Sequence, residues 1–215
     1  MLYIYCGVKS NGAKELTEAL DATRLRRFDG MNFWRKRSRV TLQVGDIVVC
    51  WGRRVPEIEG VRVLNGGWKN PNKREEIRTL HSNGILVPNT SDQAYPGSLK
   101  RRNRHQGGAD LLDPPEIPDF YVSKLELQRE YRIHSFDGKS IKAGIKVPRE
   151  GFEIAPSIPE FVLGGNAHPW IRSYNAGWRI NYDGFKATST IRAIAHKAVK
   201  ALDLTFGAVD IGEDY

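Results

Sequence analysis

Long hydrophobic runs are missing from this chain: no stretch of about 18 apolar residues occurs, so no candidate membrane-spanning helix exists. Cysteine is scarce as well. Cys6 and Cys50 both lie inside apolar, strand-like runs, which predicts buried, reduced thiols in a cytoplasm rather than a disulfide framework or a zinc site. The opening MLYIYCGVKS has neither the basic start nor the long apolar segment of a secretion signal, so cytoplasmic residence is the expectation. There is no Walker-type GxxxxGK[ST], no Ser-His-Asp order and no Cys-His pair, so P-loop binding and nucleophilic-triad chemistry have no support. Internal repeats and low-complexity tracts are also absent.

What is present describes a globular chain. It has 215 residues, 40% hydrophobic and 27% charged, enough for one large domain or two small ones with real cores. The net charge of +8 predicts an anionic partner, either nucleic acid or a nucleotide. Part of that charge is concentrated at Arg24, Arg26, Arg27, Arg35, Lys36, Arg37 and Arg39, a set that reads either as solvated surface or as an anion-binding face.

Strand and helix signals alternate at the start of the chain. Leu2 to Cys6 reads as a strand, Asn11 to Leu20 as a helix capped by Ser10, and DIVVCW (46–51) as a strand covered on both faces. Val61 to Leu64 reads as a third strand and Lys73 to Ser82 as a second helix. The expectation is a small parallel α/β domain over 1–88, with ligands collecting at Gly7-Val8-Lys9-Ser10 and Gly52-Arg53-Arg54. A basic, Gly- and Pro-rich loop or lid is expected over 89–118, and a further α+β unit over 119–215. In that last part, Thr188 or Ser189 caps an amphipathic helix running to about Leu202, and a final strand covers Phe206 to Ile211.

The segment Tyr121 to Pro148 carries the strongest pattern. Tyr131, Ile133, Ala143, Ile145 and Val147 alternate with Glu130, Arg132, His134, Lys142, Gly144 and Lys146, the period of two of a half-buried hairpin. A two-residue Asp137-Gly138 turn would set Ile133 against Lys142 and mix the faces. A three-residue loop, Asp137-Gly138-Lys139, pairs Glu130 with Lys146, Arg132 with Gly144 and His134 with Lys142. The polar face then offers an arginine and two lysines steadied by a carboxylate, with Gly144 leaving space above Arg132. Such a face reads as a polyphosphate platform or as a cross-strand salt-bridge ladder.

Other candidates are scattered. The Gly107-Gly108 pair, flanked by Arg101, Arg102, Arg104 and His105, reads as a phosphate-covering loop or as a plain basic loop. Asp210 interrupts the apolar strand FGAVDI, as a hard-metal ligand or as an outward-facing carboxylate. Trp170, Tyr174, Trp178 and Tyr182, interleaved with Arg172 and Arg179, read as base-stacking groups or as hairpin packing.

Taken in order, REEIRTLHSNGILVP, the Arg-His-Gly-Gly loop, FYVSKLELQREYRIHSFDGKSIKAGIKVPR, HPWIRSYNAGWR and AHKAVKALDLTFGAVDIGED resemble the ATP-grasp superfamily. The resemblance is to its small phage and bacterial carboxylate–amine ligase-like branch, related to ribosomal-protein glutamate ligase. It covers about residues 75–214.

It implies an α/β (α+β) ATP-grasp fold preceded by a small parallel-sheet domain, with Mg2+ and ATP held between two subdomains. Phe120, Tyr121 and Val122 would form the hinge strand at the adenine, with Lys124 facing either adenine or solvent. Glu130, Arg132 and Lys146 would belong to the ATP site, with Arg132 and Lys146 contacting phosphates or the acyl phosphate. His105, Gly107 and Gly108 would close over the γ-phosphate, Asp210 would be the first metal ligand, and Arg172 and Arg179 would accept the substrate carboxylate.

The implied reaction is phosphorylation of a carboxylate by ATP, then attack by an amine to give an amide, with a peptide or protein among the admissible substrates and no membrane partner. The family pattern continues with a return strand carrying Glu-x-Asn, the remaining metal ligands, whereas this sequence stops at Tyr215. The expectation is a truncated product, a degenerate relative, or a sheet completed by another chain. The competing expectation is a non-catalytic nucleic-acid-binding or host-interaction protein on the same scaffold, favoured by the +8 charge and the basic 24–39 segment.

Overall fold

The computed structural model describes residues 1–6, 11–25, 40–51, 55–66, 71–103 and 109–214. The chain divides into two compact units, Met1–Asn70 with Asp203–Phe206, and Pro71–Leu202 with Gly207–Tyr215.

The first unit contains β1 (Leu2–Tyr5), α1 (Asn11–Ala19), β2 (Thr23–Leu25), β3 (Ile47–Cys50) and β4 (Arg62–Leu64). Its sheet has the order β2-β1-β3-β4, and every pairing is parallel. Tyr3, Tyr5, Val48 and Cys50 pack on one face, while Ile4, Val49 and Leu64 pack with Ala13 of α1 on the other. Covering both faces is what the unbroken apolar run Ile47–Cys50 requires, so the expected parallel α/β sheet is borne out. Burial pushes the Cys50 thiol up to about 12, which leaves it an inert core thiol. Asn65, at a φ of 57°, ties the 203–206 segment to this unit: its Oδ1 accepts from the Thr205 and Phe206 amides at 2.7 and 3.2 Å.

In the second unit come α2 (Lys73–Ser82), β5 (Thr90–Ser91), β6 (Ser98–Arg101), α3 (Ala109–Leu112), β7 (Phe120–Ser123), β8 (Leu127–Phe136), β9 (Lys139–Pro148), β10 (Trp178–Asn181), α4 (Ser189–Ala201) and β11 (Phe206–Asp214). Asn72 and Glu75 form a reciprocal capping box that fixes the start of α2. Strands β5, β7 and β6 make an antiparallel sheet on which Ile77 of α2 packs against Phe120 and Val122. Two of these strands, β5 and β6, fall in the stretch whose composition reads as a loop. They are two and four residues long, too short for a period of two to stand out.

A four-stranded sheet has the order β10-β9-β8-β11. Tyr131 and Ile133 are buried on one face with Ala187 and Ala195, alongside Ala143, Ile145, Val209 and Ile211. Helix α4, started by Thr188 accepting from the Ile191 amide at 3.3 Å, provides the cover. Because side chains alternate along a strand, burying Val209 and Ile211 turns Asp210 to the opposite face.

The hairpin register differs from the expectation near its tip. Phe136 pairs with Lys139, so the turn has two residues, Asp137 and Gly138, with φ of 46° and 70°. Positive φ at both positions is the twist-matched hairpin turn that Asp-Gly favours. Faces are not mixed, because Ser135 pairs with Ser140 while His134 pairs with Lys142, leaving Ile141 as a bulged residue, 66% exposed. From His134 to Tyr131 the register is the expected one. Gly144 leaves no space above Arg132: a Cβ there would stand 2.6 Å from Ile180 and 2.7 Å from Tyr182. Glycine is needed so that β10 and the residue after it can approach.

Candidate functional site

A cleft of about 720 Å3 opens within the second unit. Its polar floor comes from the outward face of the four-stranded sheet: Glu130 and Arg132 on β8, Lys146 on β9 and Asp210 on β11, while Arg179, paired in register with Val147 of the other face, lines the cleft from the edge strand β10. The rest of the lining includes Lys73 at the start of α2, Arg101 at the end of β6, Leu111 of α3 and the 170–175 segment. Six of the residues expected at the site, Glu130, Arg132, Lys146, Arg172, Arg179 and Asp210, therefore share one cavity.

Four of them form a continuous charge network. Arg132 donates from Nε and Nη2 to the two Asp210 oxygens, each at 2.7 Å, a bidentate pair. The Lys146 ammonium lies 3.3 Å from Asp210 Oδ2 and donates to Glu130 as well. Burial pushes the Glu130 carboxyl above the usual carboxylate range, with Lys146 pulling the other way. Burial also disfavours the Asp210 anion, but Arg132 and Lys146 outweigh it and hold that carboxyl below its ordinary value. Beside this network, the His134 ring nitrogen Nε2 lies 2.8 Å from the Tyr182 hydroxyl, and Lys142 stands over the Tyr182 ring. Burial first, then the charges of Arg132 and Lys142, lower the His134 pKa and favour a neutral ring.

The two remaining arginines are held differently. Arg172 donates from Nη2 to the carbonyls of Leu127 and Gln128 at 2.5 and 3.1 Å and lies over the Trp178 ring at 4.9 Å. Its guanidinium ties the 168–178 segment to the start of β8. Arg179 is exposed and has no ion pair among the described residues.

The wall that carries them is rigid for a local reason. His168 is buried, accepts at Nδ1 from the Ile171 amide at 3.0 Å, and offers its carbonyl to Trp178 Nε1 at 2.9 Å. Gly177 then turns the chain with a φ of 85°, where a Cβ would meet the Asn166 carbonyl oxygen at 2.5 Å.

Arg101 enters the cleft from β6, with Nε held by the buried Asp110 at 2.7 Å. Lys73 pairs with Glu76 at 2.5 Å. Nothing in the spacing of Lys73 sets it apart from other helix lysines, so its place in the cleft is visible only in the fold. Tyr121 and Val122 sit in the middle strand of the β5-β7-β6 sheet and do not line the cleft. The Lys124 amide donates to Gly97 at 3.0 Å, while its ammonium stands 5.7 Å from the centre of the Trp170 ring, which does line it. His105, Gly107 and Gly108 lie outside the described residues, as do Gly7 to Ser10, Gly52 to Arg54 and most of the basic 24–39 segment.

No family model matches the chain, and no curated protein is similar to it. Solved structures are similar. PsnB, an ATP-grasp ligase complexed with a minimal precursor, aligns over 99% of this chain and 86% of its own, at 13% identity and a TM-score of 0.59. The same ligase with minimal precursor, Mg and ADP gives 0.58 at 12% identity, covering 99% of this chain and 84% of that one. The macrocyclase MdnC from Microcystis aeruginosa MRC, bound with precursor peptide MdnA, gives 0.54 at 12%, with 99% and 87% covered. D-alanine–D-alanine ligase from Bacillus anthracis gives 0.53 at 12%, with 99% and 84% covered. At such identities the likeness is one of fold. This chain has the mixed α/β architecture of the ATP-grasp ligases.

The metal that accompanies nucleotide in such folds does not fit the donors described. Both Asp210 oxygens are engaged by Arg132, one of them also by Lys146. No group of three His, Cys, Asp or Glu side chains converges among the described residues. An oxygen-rich cage for a hard cation needs more carboxylate or carbonyl ligands than this.

Proposed function

We propose that this chain binds ATP in the cleft of its second unit and acts as an ATP-dependent carboxylate–amine ligase of the small phage and bacterial kind. The observation that carries the reading is the cluster of Glu130, Arg132, Lys146 and Asp210 on the outward sheet face of an ATP-grasp fold, with Arg179 lining the same cleft. Strands β8, β9 and β11 aim the clustered charges into one hollow while α4 and the apolar face hold the strands in place.

In this reading Arg132 and Lys146 neutralise the transferring phosphoryl group, and Arg101 meets the phosphates from β6. Arg179 holds the substrate carboxylate. Phosphoryl transfer depends on positioning and charge neutralisation more than on a protein nucleophile, and this lining supplies cations without one. A carboxylate oxygen bonds to the γ-phosphorus as ADP leaves. An amine then attacks the acyl carbon, phosphate departs, and the nitrogen sheds a proton to give the amide. Two structural neighbours are complexed with precursors, one named a precursor peptide, which supports a peptide or protein as substrate. Consumption of ATP and buried thiols suit a cytoplasmic setting.

Nucleotide-dependent melting tests the reading. At about a hundred times Kd, ligand binding adds about 2.7 kcal/mol to stability, equivalent to about 5–10 °C in Tm for a chain of this length. No shift with millimolar ATP or ADP, with and without Mg2+, would sink the proposal. Mass spectrometry of peptide products with ATP then reads amide formation as loss of one water.

A further inference from the structure

Between β9 and the turn at Tyr174–Ala176, the chain folds into a loop held by its own backbone. The Ala155 amide donates to the Ala167 carbonyl and the Ala167 amide to the Glu153 carbonyl, both at 2.8 Å. The Asn166 side chain accepts from the Val162 amide at 2.9 Å and donates to the Glu160 carbonyl at 3.1 Å. Ala155 and Ala167 are fully buried, and Phe161 lies edge-on to His168 at 4.7 Å.

Yet this fixed loop turns its aliphatic side chains outward. Ile154, Ile158, Val162 and Leu163 are 49%, 51%, 61% and 70% exposed. Branched aliphatics grouped on an ordered surface mark an interaction site more than scattered exposure does. A preformed loop also binds without much further ordering cost.

Charge narrows the occupant. In a chain of net charge +8, residues 149–168 carry three glutamates, Glu150, Glu153 and Glu160, all exposed. Their one permanent cation, Arg149, is held between the rings of Phe152 and Tyr174 at 4.4 and 5.0 Å. The surface is therefore apolar and acidic, which repels nucleic acid and disfavours face-to-face pairing with a second copy of itself.

The loop is also continuous with the cleft. The His168 amide donates to the Ala176 carbonyl at 2.8 Å, and Tyr174, 69% exposed, lines the cleft while covering Arg149. We propose that residues 153–166 dock an extended segment of the polypeptide substrate, one in which Lys or Arg is interspersed with aliphatic residues, next to the group that reacts in the cleft. The inference rests on the ligase reading for its substrate and deepens it.

The test selects a random dodecapeptide display library on the full chain. The best peptide, fluorescein-labelled, is then titrated against wild type, Val162→Ser/Leu163→Ser and Glu153→Lys. The expected result is enrichment of Lys or Arg together with Leu, Ile, Val or Phe, and binding at least tenfold weaker in both variants, with their melting temperatures and ATP-induced shifts unchanged. Several results would overturn the proposal: no enrichment, a different composition, or undiminished binding in either variant. A wild-type dimer in light scattering that Val162→Ser/Leu163→Ser dissociates would also overturn it, by assigning the surface to a second copy. The ATP shift of the wild type is read separately, so its loss with peptide binding intact refutes the ligase reading and not the docking surface.

Discussion

Replacing Lys146 with methionine isolates the electrostatics of the cleft floor. The Lys146 side chain is 9% exposed and stands between Glu130, 15% exposed, and Asp210, 37% exposed. Methionine keeps most of the stem packing and removes the ammonium, so two carboxylates lose their shared cation. Removing one partner of a buried pair costs about 3–5 kcal/mol. Asp210 retains its bidentate Arg132 and reaches solvent, so the expected loss at pH 7.5 is about 2 kcal/mol, or about 4–8 °C in Tm.

The pH dependence follows from Glu130. Burial already raises its pKa in the fold, and losing the Lys146 attraction raises it further. A carboxyl whose folded pKa lies above its unfolded value binds its proton more tightly in the folded state, so it favours folding as pH falls through that pKa. The penalty of Lys146→Met should therefore shrink between pH 7.5 and pH 5, and Glu130→Gln added to it should restore at least half the lost stability at pH 7.5. Thermal melts at both pH values read this directly. A penalty that is equal or larger at pH 5, with no rescue by Glu130→Gln, refutes the assignment of Lys146 as the shared counter-ion.

Arg179→Ala should leave Tm within about 1–2 °C, since its side chain is exposed and has no ion pair among the described residues, yet it should raise the KM for the carboxylate substrate. A large Tm loss would show a structural role instead. Gly177→Ala should cost about 2 kcal/mol or more, because φ is 85° and the new methyl meets the Asn166 carbonyl oxygen at 2.5 Å; a Tm change under about 1 °C would contradict that geometry. Deleting Ile141 should be tolerated within about 1 kcal/mol, since it removes only the bulged residue and keeps both hairpin faces. Deleting Ala143 should unfold the second unit, because keeping Gly144 opposite Arg132 sets Lys142 at Ala143's place on the apolar face; circular dichroism melts separate the two deletions.

Local rules in the chain were enough for much of this molecule. The apolar run Ile47–Cys50 announced a strand covered on both sides, and Lys73 to Ser82 read as the helix that α2 forms. The period of two in β8 and β9 by itself puts Glu130, Arg132 and Lys146 on one face, because alternation along an extended strand is a property of the backbone.

Which charges neutralise one another is a different matter. Asp210 lies 78 residues beyond Arg132, and only the placement of β11 beside β8 makes them a bidentate pair. Arg172 read as a ligand group; it lines the cleft, and the fold also has it bind the Leu127 and Gln128 carbonyls. Gly144 read as open space, but the approach of Ile180 and Tyr182 fills it. Residue order along the chain sets the faces of each element; the pairing of distant strands sets what each face meets, and that depends on packing energies summed over the whole unit.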